Sequence, residues 1–251
     1  MTLIRASISI VAVLLIWQLA ASLMATPLLL PSPILVAKSA FALIESGELA
    51  VHVGASLSRL AIGLVIGVPI GAFIGCAMGR WSTVDALLGP FVRFFNSIPA
   101  LALVPFSLLW FGVTEFSRYA LLFYTISLTV LLSARQGVRT VPAIRLKAGS
   151  SLGVSGAVAF LRIVMPSCFP AILAGTRTAI GLGVMVIVAA EMLGAESGLG
   201  YLIMQARSHF NIGHMLVGVI GLGVLTLVLD RAFQFATETL LPRWSVKRRV
   251  R

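Results

Sequence analysis

Apolar positions in this chain fall in long unbroken blocks, with neither the alternation of a half-buried strand nor the narrow stripe of a soluble amphipathic helix. A helix needs about 20 mainly apolar residues to cross the hydrocarbon core of a bilayer. Runs of about that kind occupy 8–24, 57–78, 119–134, 172–192 and 214–235. A sixth, 97–112, is shorter and interrupted by Pro99 and Pro105. The pattern predicts an all-α polytopic membrane protein with about six transmembrane helices, built as a single domain over 1–251. The first run is longer than the ~7–15 residues of a signal-peptide core, so 8–24 is read as a retained N-terminal anchor helix.

Composition agrees and narrows the class. The chain is 59% hydrophobic and 11% charged, with a mean hydropathy of +1.05. A soluble domain of this length has too much surface to cover with so little charge. A net charge of +11 raises the question of nucleic acid, but the charges are sorted by loop. Thirteen lysines and arginines (Arg5, Arg80, Arg93, Arg135, Arg139, Arg145, Lys147, Arg162, Arg243, Lys247, Arg248, Arg249, Arg251) fall on one predicted face. Three (Lys38, Arg118, Arg207) fall on the other, with Glu45, Glu48, Glu115, Glu191 and Glu196. Basic loops stay on the cytoplasmic side, which predicts a multi-pass protein with both termini and the 135–170 region in the cytoplasm. The charge is a topology signal and implies no nucleic-acid partner. The basic tail also suits anionic headgroups.

The second run carries Gly63, Gly67, Gly71, Gly75 and Gly79 at intervals of four. At 3.6 residues per turn these line one slowly drifting stripe, and glycine allows the close backbone approach by which membrane helices associate. The stripe is read as a packing face. Arg59, Arg177, Glu191, Asp230 and Arg231 lie in or at the ends of apolar runs and must snorkel, pair or meet water. Arg177, inside the fifth run, is either tied down in that way or a wall position on an anion pathway. Cys76 and Cys168 are read as small apolar fillers, and His52, His209 and His214 lack metal-ligand spacing. There is no phosphate-cradling GxxxxGK[ST] motif, no nucleophile–base constellation and no metal set. The chain is therefore expected to be no enzyme and to bind no cofactor itself.

The segment 145–166, "RLKAGSSLGVSGAVAFLRIVMP", stands out between two apolar runs. It is basic, and Ala148, Gly149, Ser150, Ser151 and Gly153 give it a low-relief surface that another protein's groove can approach. A plain polar connector with cytoplasmic charge is the competing reading of the same residues. The order Lys147-Ala148-Gly149, three residues, Gly153, nine residues, Ile163, two residues, Pro166 resembles the EAA loop of binding-protein-dependent ABC importer permeases. The stretches "HVGASLSRLAIGLVIGVPIGAFIG" (52–75), "SIPALALVPFSLLWFGVTEFSR" (97–118) and "VAAEMLGAESGLGYLIMQAR" (188–207) resemble the nitrate/sulfonate/taurine branch of that family. The likeness covers about 52–244. It departs at Lys147, where the family has an acidic residue, and at Gly149, where it has alanine.

The resemblance implies the type I ABC importer permease fold, with 147–166 as the cytoplasmic coupling helix that docks a separate ATPase. Lys147, Ala148, Gly149, Gly153, Ile163 and Pro166 then form the ATPase-coupling loop. It also implies cytoplasmic ATPase subunits that use ATP and magnesium, a periplasmic solute-binding protein, a second permease copy forming a homodimer, and residence in the bacterial inner membrane. The branch points to a small anion such as an aliphatic sulfonate, taurine or nitrate. The proline-broken third span and "SGLGYLI" are candidate moving parts, although helix packing explains them equally. An ion-coupled secondary transporter is the alternative. Against it stand the single broken span, without a counterpart in the second half, and the lack of an isolated carboxylate at mid-membrane.

Overall fold

The structure, a computed structural model, describes residues 2–23, 30–154 and 156–240. All regular structure among the described residues is helical. In chain order the helices are α1 (Thr2–Leu23), α2 (Pro33–Glu45), α3 (Glu48–Arg80), α4 (Ser82–Asn96), α5 (Val104–Phe111), α6 (Glu115–Arg139), α7 (Ala143–Ser151), α8 (Gly156–Ala159), α9 (Met165–Gly194), α10 (Leu199–Ser208) and α11 (Ile212–Leu240). A 3₁₀ turn, Ala100–Leu103, leads into α5, and one π turn, Phe160–Val164, joins α8 to α9.

Four helical runs are long and apolar enough to cross a membrane: α3, α6, the continuous α8–α9 run and α11. The pair 82–96 and 100–111 makes a fifth if it counts as one bent span, and α1 adds a shorter apolar stretch, Val11–Leu23. The expected first run reaches Met24, which lies outside the described residues, as does the basic tail beyond Leu240.

The third span departs from the sequence expectation. It begins at Ser82, well before 97, and bends by 81° between α4 and the 100–111 segment. Ser97 closes α4, its N–H donating to the carbonyls of Arg93 and Phe94. Pro99 then turns the backbone out in an extended conformation. Pro105 sits in the first turn of α5, where its missing N–H leaves no hydrogen bond unmade. One proline makes the break and the other starts the next helix.

The bent pair allows α3 and α6 to run parallel. Cβ atoms built on Gly63 and Gly67 would press on Leu122 and Ile126, on Gly71 on the Ser127 carbonyl, on Gly75 on the Leu131 carbonyl, and on Gly79 on Val138. Both residue numbers rise together, so the chain leaving α3 must recross the bundle before α6 begins. Helix α9 runs the other way: Gly175 abuts Ser133, and Gly183 abuts Leu60. The main core lies where these three meet, around Leu60, Leu122, Ile126, Val130, Ile180 and Ile187. A second core joins α2, α10 and α11 through Val36, Leu43, Leu199, Leu202 and Val217. Cys76 and Cys168 are buried free thiols whose Sγ atoms touch at 3.3 Å between α3 and α9. They fill space as expected, but as a pair that a separation of 92 positions conceals in the sequence.

Candidate functional site

The bundle has two polar ends. One carries Arg80, Arg135 and Arg139 with the 143–167 segment; the other carries Glu48, Glu115, Arg118, Glu191 and Arg207. At the basic end Asp85 of α4 is gripped by Arg135 (Nε–Oδ1, 2.6 Å) and Arg139 (Nη2–Oδ2, 2.6 Å). This ties the start of the bent span to the end of α6.

The 143–167 segment is a helical hairpin. Helix α7 closes at Leu152, whose N–H donates to the Ala148 and Gly149 carbonyls. Gly153 reverses the chain at φ +73°, and Gly156 opens α8 at φ +59°. Both values lie in the left-handed region that glycine adopts at little cost. Gly149 is buried: a Cβ there would overlap Cδ1 of Ile163. This corrects the expectation that Gly149 belongs to the low-relief outer surface. Its lack of a side chain lets α7 lie flat on the π turn, with Ile163 and Pro166 as the half-buried inner wall. Lys147, Ala148 and Gly153 face outward. So do Ile144, Leu161 and, above all, Leu152, which is 81% exposed. Between the two arms lies an open recess of about 540 Å³, lined by Ala148, Leu152, Ile163 and Pro166 and edged by Arg145 and Arg162. Arg145 Nη1 donates to Ser167 Oγ at 3.2 Å, fixing one side of that edge.

At the acidic end, Arg59 and Glu191 are not terminal snorkelers. Arg59 is 5% exposed and Glu191 1%. Arg59 Nη1 meets Glu191 Oε1 at 2.8 Å, while its Nε and Nη2 grip both oxygens of Glu115 at 2.7 Å. Glu191 also accepts from Ser56 Oγ and from the N–H of Gly200 at 2.9 Å, next to the start of α10. His52, Ser56 and Arg59, spaced i, i+4, i+7 on α3, together hold the α9–α10 connection. His52 Nδ1 accepts from Gly198 N–H, Ser56 Oγ accepts from Leu199 N–H, and Arg59 donates to the Ser197 carbonyl. Arg118 donates to Glu115 and to the Gly194 carbonyl. Charge inside an apolar run was the only sequence signal for this cluster.

Arg177 pairs with Asp230 of α11 through two hydrogen bonds. Its charge is compensated by a neighbouring helix of the same chain, so the tied-down reading of Arg177 describes its geometry.

A bundle of long apolar helices with a recessed, basic helical hairpin at one end is the architecture of a multi-pass membrane protein. Residues 67–246 match the family of binding-protein-dependent transport system inner membrane components, and the chain belongs to it. It is 32% identical to a taurine transport system permease protein of Escherichia coli, over 94% of this chain and 88% of that one. It is 34% identical to a probable ABC transporter permease protein of Brucella melitensis (86% and 87% covered) and 29% identical to a nitrate import permease protein of Synechocystis (95% and 90%). Among solved structures, an inward-facing methionine ABC transporter, MetNI, matches the fold with a TM-score of 0.55 at 18% identity, covering 76% of this chain and 91% of that one. The chain is thus the permease subunit of an ATP-driven importer of the inner membrane. It is a transport subunit and not an enzyme, and its family works with ATPase and solute-binding partners.

Proposed function

We propose that this permease docks its ATPase through the 143–167 hairpin and carries a small sulfonate-type anion, with aliphatic sulfonate or taurine ahead of nitrate. The observation that carries the docking assignment is the outward display of Leu152, Ile144 and Leu161 around an open recess edged by Arg145 and Arg162. Large apolar side chains on a basic, water-facing hairpin are what a soluble partner covers. Among the family's coupling-loop positions, Lys147, Ala148 and Gly153 form the outer surface, and Gly149, Ile163 and Pro166 support it from within. The thirteen-to-three sorting of basic residues supports a cytoplasmic location for this end and for both termini. Two copies complete the solute pathway, and 8–24 serves as an anchor ahead of a core over 52–244.

ATP-driven approach of the two ATPase subunits draws the hairpins together. The tightly packed α3, α6 and α9 pass that displacement on as near-rigid bodies. Replacing Leu152 by aspartate is expected to abolish ATPase co-purification and solute-stimulated ATP hydrolysis while membrane insertion persists. Wild-type coupling in that variant removes the hairpin as the docking surface. Gly153→Trp has the same expected outcome, with backbone strain added to bulk. Exchange Lys147→Glu tests charge matching: weaker binding of the native ATPase supports it, and unchanged or stronger binding refutes it. The anion assignment is tested by uptake of labelled taurine, an alkanesulfonate and nitrate into cells that carry the whole transporter.

A further inference from the structure

Helix α6 is packed on two sides, by α3 and by α9, and yet it is the least apolar of the four full-length spans. Its polar residues are unevenly placed. Thr125, Thr129, Ser133 and Gln136 follow one another at i, i+4, i+8 and i+11, all within about a quarter-turn of the helix. Thr125 is buried, Thr129 and Ser133 are half-buried, and Gln136 is exposed. They border the crevice where α6 meets α9, which answers with an uncovered stripe of Ala174, Thr178, Leu182 and Met185. Toward the acidic end the crevice widens into a recess of about 270 Å³ beneath the α4–α5 break, lined by Asn96, Tyr124, Thr129, Leu182 and Met185.

Half-buried hydroxyls and an exposed carboxamide are out of place against lipid, where each polar group needs a partner. The hydroxyls have one each: Thr129 donates to the Thr125 carbonyl (2.7 Å), Ser133 to the Thr129 carbonyl (3.0 Å) and Thr178 to the Ala174 carbonyl (3.2 Å). With the hydrogen committed one turn back, each oxygen keeps its lone pairs for an outside donor. Gln136 offers a donor and an acceptor. No lysine or arginine lines the recess, and Arg177, next to Thr178, is held by Asp230.

We propose that this α6–α9 crevice, with the recess under the broken span, is the chain's wall of the solute pathway, and that it meets the solute through neutral hydroxyl and amide groups. The proposal rests on the permease reading above and adds the residues that touch the cargo. The class of solute it suits is a small, strongly hydrated polar molecule that moves with its water. A fixed cation would bind a sulfonate and delay its release, whereas conduction requires contacts weak enough to leave. Selection then falls to the binding protein, and the wall passes what it is given.

The test uses the whole transporter, with ATPase and binding protein, in membrane vesicles. Thr129→Cys, Ser133→Cys and Gln136→Cys are each treated with the water-soluble anionic reagent 2-sulfonatoethyl methanethiosulfonate; the buried native thiols of the unsubstituted protein set the baseline. Labelling of Thr129→Cys and Ser133→Cys, with loss of most uptake, is expected, while Val65→Cys and Phe73→Cys on the outward face of α3 stay unlabelled. Thr129→Lys is expected to slow uptake with ATPase assembly retained, and Thr129→Ser to restore it. Absence of labelling, or labelling that leaves uptake intact, overturns the proposal. So does disulfide cross-linking of Ser133→Cys to its counterpart in a second copy without aqueous labelling, which makes the crevice a dry interface. Uptake that persists without the ATPase would instead overturn the permease reading, so the two failures are distinct.

Discussion

At Gly71, one methyl group separates close packing from collision with a backbone oxygen. A Cβ there would overlap the Ser127 carbonyl, which cannot swing aside as a flexible side chain can. Overpacking of this kind costs about 1–3 kcal/mol. Gly71→Ala is therefore expected to lower the thermal unfolding temperature in detergent. Gly54→Ala, where nothing lies within 4 Å of the new carbon, should leave it unchanged or slightly raised. Glu191 makes the complementary case. Removing it strands the Arg59 guanidinium in a buried site with part of its partners gone, and breaking a buried pair costs about 3–5 kcal/mol. Glu191→Ala should destabilise strongly. The double variant Arg59→Met/Glu191→Met should recover part of that loss, because no unpaired charge remains; a double variant worse than the sum of the singles would contradict the pairing. The glycine spacing was legible in the sequence because helical period is local. The Arg59–Glu191 contact was not, because its members stand 132 positions apart.

At the scale of elements, the hairpin and the bent span each depend on one contact that composition does not announce. Helix α7 seats on the π turn through Gly149 against Ile163. Gly149→Val is expected to lift α7 and reduce ATPase co-purification. Adding Ile163→Ala should restore much of it by vacating the space; failure of that rescue would place the effect elsewhere than in this contact. The prolines of the third span were visible from the start, yet their roles were not. Pro99 and Pro105 read alike as breakers, and only the neighbouring hydrogen bonds assign one to the turn and the other to a helix start. Helix α4 was missed as part of the span because Arg93, Asp85 and Pro90 interrupt its apolar pattern. Asp85 is accounted for by Arg135 and Arg139, fifty and fifty-four residues away.

The whole molecule sets which ends face together. Leu152 and Glu196 lie at opposite ends of the helical run that includes α9, one in the hairpin and the other just after the helix. With Leu152→Cys and Glu196→Cys, a membrane-impermeant maleimide should label the first only from the ATPase side and the second only from the other. Both residues labelling from one side would refute the membrane crossing of α9. The same arrangement explains why parallel α3 and α6 need a bent return between them, and why polar groups collect at the two ends and along the α6–α9 crevice.

Much was settled by the chain's linear pattern: an all-helical membrane protein, the glycine face of α3, the hairpin's position and its family likeness. Each of these rests on spacing within one helix or on local composition, and such properties survive in a string of letters. Only the folded chain decided that Gly149 points inward, that Arg59 and Glu191 are one buried cluster, that Arg177 belongs to Asp230, and that Thr129 and Ser133 of α6 stay only half-buried. Those facts depend on which helices are neighbours and how they are rotated. Rotation and neighbourhood arise from packing between segments far apart in sequence.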